Sequence, residues 1–95
     1  MYRQVAIDPA QLAAYVGSYA ITPNFILAIT RLDGRLFVTP THQGTYELFP
    51  ESETGFFLRV VDAQISFERP RDGQDQAPAL VLHQNGRDRR GERVP

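Results

Sequence analysis

Apolar and polar positions alternate along most of this chain in short runs that turn-forming residues interrupt. Leu27 and Ile29, Leu36 and Val38, Tyr46 and Leu48, Phe56, Leu58 and Val60, Ile65 and Phe67, and Leu80 and Leu82 recur at every second position. A period of two puts such residues on one side of an extended strand, so this set predicts the buried face of a sheet. Thr30, Arg35, Thr39, Glu47, Arg59, Gln64, Ser66, Glu68 and His83 fall opposite and predict a solvated face. That outer set is not wholly polar. Ile26, Phe37, Phe49, Phe57, Val61 and Val81 lie there as well, and apolar area in such a place calls for a cover: a helix, a partner domain or a second copy.

Turn signals stand at Pro23-Asn24, Asp33-Gly34, Pro40 to Gly44, Pro50 to Gly55, Asp62-Ala63, Pro70 to Pro78 and Asn85-Gly86. Seven turns imply eight strands, and a spacing of roughly ten residues predicts an all-β barrel or sandwich. Asp33-Gly34 and Asn85-Gly86 are the sharpest signals, because a two-residue type I′ turn needs positive φ at both positions. They predict tight hairpins and antiparallel neighbours.

One segment ahead of the strands breaks the period. Asp8 suits an N-cap, Pro9 the first helical position and Gln11 the reciprocal position of a capping box. Ile7 and Leu12 occupy the two positions of a hydrophobic staple. The prediction is a helix over about residues 9–15, too short to persist undocked, closing one barrel end with Leu12, Tyr15 and Val16.

Composition narrows the function classes. The 95 residues are 42% hydrophobic and 22% charged, which is ordinary globular usage and enough for one core. We read residues 1–95 as one barrel domain, with strands over about 16–94. The longest apolar runs, such as Phe25 to Ile29, are far short of a membrane-spanning helix, so no membrane insertion is expected. The N-terminus has no secretory signal, which leaves either a cytoplasmic chain or a piece of a longer exported protein. Cysteine is absent, which removes disulfides, thiol catalysis and zinc-thiolate sites. All ten basic residues are Arg, and a net charge of −1 gives no general attraction to nucleic acid.

Three stretches carry a likeness. They are Tyr15-Val16-Gly17-Ser18-Tyr19, then Glu47 to Phe57 continuing through Val61-Asp62-Ala63-Gln64-Ile65-Ser66-Phe67, and Leu80 to Asp88. Together, over about residues 11–94, they resemble the lipocalin-like domain of unknown function C-terminal to the catalytic domain in many β-lactamase-like, penicillin-recognising serine hydrolases and peptidases. The resemblance implies an eight-stranded antiparallel up-and-down barrel with one short N-terminal helix. It also implies an accessory role, the partner being a serine hydrolase catalytic domain, in cis or in trans; the outer apolar positions add a second copy as the alternative partner. Lipocalins further resemble this chain in having a short helix followed by G-x-W, with a basic side chain of the last strand lying across that ring. Gly17-Ser18-Tyr19 is the matching element, with Tyr for Trp, and it implies that Arg89, Arg90 or Arg93 lies near Tyr19.

Tested for chemistry, the chain offers little. Penicillin-recognising hydrolases need a Ser-x-x-Lys and a Lys-Thr-Gly element, and there is no Lys. Ser18, Ser52 and Ser66 are candidate nucleophiles and His42 and His83 candidate bases, but none lies in a G-x-S-x-G elbow. Glu51 and Glu53 read as a solvated loop whose side chains, with Ser52, accept local backbone hydrogen bonds. His42 and His83 lack metal-ligand spacing, and no metal or other cofactor is expected. Arg87, Arg89, Arg90 and Arg93 are interspersed with Asp88 and Glu92 and lack stacking aromatics, so nucleic-acid binding is not expected. The interior reads either as filled core or as a small-molecule pocket. The expectation is therefore a non-catalytic interaction domain, or alternatively a free-standing binder of small apolar ligands of lipocalin type. Its ligand or interface candidates are Tyr19, Phe37, Phe49, Phe57, Val81 and His83.

Overall fold

The chain turns tightest where positive φ is cheapest. In the computed structural model, which describes residues 7–95, φ is 53° and 74° at Asp33 and Gly34, and 56° and 73° at Asn85 and Gly86. Both pairs join antiparallel strands as type I′ chemistry requires. A helix, α1 (Pro9–Ala13), is followed by β1 (Gly17–Thr22), β2 (Phe25–Leu32), β3 (Arg35–Pro40), β4 (Tyr46–Pro50), β5 (Gly55–Phe57), β6 (Ala63–Phe67), β7 (Ala79–Gln84) and β8 (Arg87–Val94). Each strand pairs with the next, and β8 returns to β1 through Ser18↔Val94, Tyr19↔Arg93 and Ala20↔Glu92, closing the barrel. The expected all-β, eight-stranded up-and-down topology is thus the observed one.

Closure gives the barrel two unlike ends. The helix end collects the start of β1, the connections at 33–34, 51–54 and 68–78, and the end of β8; the opposite mouth collects those at 23–24, 41–45, 58–62 and 85–86. At the helix start the Asp8 carboxylate accepts the Ala10 N–H at 2.9 Å. Leu12 is buried and Ile7 packs against the core, as a staple requires. The helix stops at Ala13, short of the expected 15, because the carbonyls of Ala14 and Val16 turn to Arg93 instead of the next helical turn.

The core follows the period of two. Leu27, Ile29, Leu36, Val38, Leu48, Phe56, Leu58, Ile65, Phe67, Leu80 and Leu82 are all buried, and Tyr46 is half-buried against them. At the helix end the interior is aromatic: Tyr15 stacks on Phe67 at 4.3 Å, and Phe56 meets Phe67 edge-on at 5.6 Å. Val60 departs from the expectation, being 67% exposed. Its strand ends at Phe57, and residues 58–62 leave the sheet as a loop, so alternation no longer assigns faces beyond Leu58.

Candidate functional site

Tyr19 lies at the helix end and is 0% exposed, inside the wall. The Arg93 guanidinium sits over it, with Cζ 4.8 Å from the ring centroid, so of the three arginines expected near this ring Arg93 is the one that fills the place. Arg93 donates from Nε to the Ala77 carbonyl (2.6 Å), from Nη1 to the Val16 carbonyl (2.8 Å), and from Nη2 to the Ala14 carbonyl (3.0 Å) and Tyr19 Oη (2.6 Å). Tyr19 Oη in turn donates to the Tyr15 carbonyl at 2.8 Å, and Tyr15 Oη to the Glu53 carbonyl at 2.7 Å. One cation thereby satisfies carbonyls that the helix C-terminus and the 68–78 loop would leave orphaned. Gly17, at φ 143°, makes this possible, because a Cβ there would occupy the space of Arg93 Nη1. Burial pushes the Tyr19 hydroxyl from 10.0 up to about 12, against the pull of Arg93. Burial raises Tyr15 as well.

The outer candidates do not form one patch. Phe49 and Phe57 are cross-strand partners with centroids 5.7 Å apart, and Arg59 lies over Phe49 at 3.9 Å. Phe57 is buried although it faces outward. Phe37 pairs with Glu47, and Val81 pairs with Ser66 and Arg90, so polar neighbours separate both from the Phe49–Phe57 pair. Beside that pair, Phe57, Leu58, Arg59, Val60, Val61 and Asp62 line a shallow depression of about 420 Å³.

His83 stands elsewhere on the outer wall, on β7, in a chain of hydrogen bonds. Its Nε2 is 2.9 Å from Ser66 Oγ on β6, and its Nδ1 is 2.7 Å from Asp88 Oδ1 on β8. Register explains one half of this arrangement. The two-residue turn at Asn85-Gly86 makes His83 and Asp88 direct partners. The other half is a diagonal, since β6 sets Gln64 opposite His83 and Ser66 opposite Val81. The group lines a polar groove of about 600 Å³ with Glu51, Asp62, Gln64, Asn85 and Arg87. Sequence reasoning named Ser66 and His83 separately and missed Asp88, although the Asn85-Gly86 signal contains that pairing.

The remaining candidates stay local. Ser52 Oγ accepts the Gly55 N–H at 2.8 Å, the loop role expected of it, and Glu53 is an exposed partner of Arg69 at 3.5 Å. Among the described residues no group of three or more His, Asp or Glu side chains is placed to hold a metal ion. Arg90 is held by Glu68 (Nε to Oε2, 2.5 Å) and Glu92 (3.2 Å), and the Glu68 carboxyl sits below the usual range through its hydrogen bond with Arg90.

The mouth opposite the helix is apolar and shallow. Phe25, Leu27, Val38, Leu58, Val61 and Ile65 are among the residues around a cavity of about 140 Å³. Room for a drug-sized ligand begins at about 300 Å³. Filled core therefore describes the interior better than a ligand chamber.

Comparison with known proteins gives two matches. A family described as "Domain of unknown function (DUF3471)" matches residues 3–93. The chain is 36% identical over 84 residues to the Bacillus subtilis (strain 168) protein named penicillin-binding protein 4*, a stretch that covers 88% of this chain and 18% of that one. No solved structure matches it.

Proposed function

Since the chain belongs to the DUF3471 family of domains of unknown function, we propose that it is a non-catalytic accessory domain of a β-lactamase-like serine hydrolase, lipocalin-like in form, which packs on the catalytic part or brings copies of it together. The observation that carries this reading is that the homologous stretch is only 18% of a penicillin-binding protein, so relatives of this barrel are built into longer chains. Homology to that region fits an accessory domain of a β-lactamase-like protein. The filled interior favours association over ligand storage, because a mouth cavity of about 140 Å³ holds at most a benzene-sized group.

The depression at residues 58–62 is the surface we assign to the contact. Val60 and Val61 are 67% and 47% exposed there, beside Phe57 and Arg59. Apolar area is worth about 25 cal/mol per Å² only when something covers it. The partner is the catalytic part of the hydrolase or, in its absence, a second copy of the barrel about a two-fold axis. Sedimentation at micromolar concentration tests this, with the chain alone and mixed with the remainder of the penicillin-binding relative produced separately. A complex or a dimer that Val60→Asp with Val61→Asp dissolves is expected. A strict monomer that ignores the remainder overturns the reading, as does β-lactam turnover by the barrel alone.

A further inference from the structure

The outer-wall groove has features that sheet stability does not require. Ser66 Oγ, His83 Nε2, His83 Nδ1 and Asp88 Oδ1 follow one another at 2.9 Å and 2.7 Å, in the order in which a serine is activated by a base that an acid orients. The strand partner of Ser66 on β5 is Gly55, and the place a Cβ would take there is covered by Ser52 Oγ and the Glu51 side chain. Ser66 itself lines the groove of about 600 Å³ together with His83 and Asp88, and a reacting group has room on that side.

We propose that Ser66, His83 and Asp88 form a nucleophilic site that takes one acyl group from small neutral or cationic activated esters. With Nδ1–H donating to Asp88, the imidazole presents Nε2 as the acceptor of the Ser66 proton. The Oγ–carbon bond forms as that proton passes to Nε2. The carbon–oxygen bond to the leaving group then breaks, and the departing alcohol takes the proton from Nε2. Ser66 is left as an ester and His83 neutral, so charge and protons balance.

Two features set what the site accepts and how far it goes. Glu51, Asp62 and Asp88 oppose the single guanidinium of Arg87 in the lining, so anionic acyl donors are repelled. The backbone N–H groups of β6 are taken up by its ladders with β5 and β7 and by the carbonyls of Val61 and Thr54, which leaves Gln64, Asn85 and Arg87 side chains as the donors for a developing oxyanion. Without fixed backbone donors in an excluded site, hydrolysis of the acyl-serine is slow, and the product is a modified chain rather than turnover.

This goes beyond the accessory reading, and the two are measured separately: association by sedimentation, acylation by mass. The purified chain is exposed to 4-nitrophenyl acetate, to its carboxylate-bearing succinyl analogue and to a neutral fluorophosphonate, then mapped by peptide mass. The expected result is one acetyl or phosphonyl group per chain, on Ser66, and slower reaction with the succinyl ester. Ser66→Ala abolishes the adduct, and His83→Gln slows it about 100-fold. Asp88, a positioning residue, is tested by Asp88→Asn, which slows acylation and shifts the His83 ring nitrogen resonances toward the other tautomer. Adducts spread over Ser18, Ser52 and Ser66 at similar rates overturn the proposal. So does Ser66 acylation that is indifferent to His83→Gln, and equal rates for the two esters overturn the ligand class. Mapping of the unaltered chain needs no variant to fold.

Discussion

The two ends of the barrel solve closure in opposite ways. At the helix end, one guanidinium binds three carbonyls and a phenol, and four aromatic rings fill the space beneath. At the mouth, side chains of β2, β3, β4, β6 and β7 surround a cavity of about 140 Å³, and the 58–62 loop leaves Val60 and Val61 67% and 47% exposed. On this arrangement stability is expected to concentrate at the helix end, which would leave the other free to carry surface features at little cost to the fold. Loops positioned by a rigid scaffold are where binding residues tend to collect.

Arg93→Ala is the sharpest way to break this contrast. It leaves the carbonyls of Ala14, Val16 and Ala77 without their donor and should cost about 3–5 kcal/mol, a large part of a small domain's stability. Denaturant unfolding with an unchanged m-value measures it, and a loss below about 1 kcal/mol would show that the helix end is not where stability resides.

Alkaline titration is the next largest effect. Tyr19 is raised from 10.0 to about 12, so the folded form holds this proton more tightly than the unfolded chain does. The associated stability is fully present below pH 10 and is lost as pH rises through about 12. Thermal melts across that window should fall, and Tyr19→Phe should flatten the slope to the residue left by Tyr15, which burial raises too. At the mouth, Val61→Ser should change stability by no more than about 0.5 kcal/mol, because the side chain is already 47% exposed. A loss comparable to that of Arg93→Ala would erase the distinction between the ends.

The sequence makes the strands legible because local chemistry dictates them. Asp33-Gly34 and Asn85-Gly86 take the positive φ that their residue types permit, and alternation from Leu27 to Leu82 places the core. Val60 was misplaced because nothing in Phe56-Phe57-Leu58-Arg59-Val60 marks where pairing with β6 stops. The site was legible only as far as single hairpins reach. His83 and Asp88 follow from a two-residue turn, whereas bringing Ser66 to His83 depends on a register set across the 68–78 connection, whose length leaves that register open. Arg93 beside Tyr19 came from family likeness, since no local rule joins residues 74 positions apart.

The up-and-down order has a kinetic consequence. Seven of the eight strand pairings join neighbours in sequence and form as local hairpins; only β1 with β8 closes a loop of nearly the whole chain. That closure carries the greatest loss of chain entropy and must await the last strand, so until then the growing meander exposes two unpaired edges. Arg93 lies on this late seam, opposite Tyr19, and its bonds tie the final strand to the C-terminal end of α1. The same contact that caps the barrel end therefore acts as the latch of its assembly, and the time for which the edges stay open depends on how soon it is made.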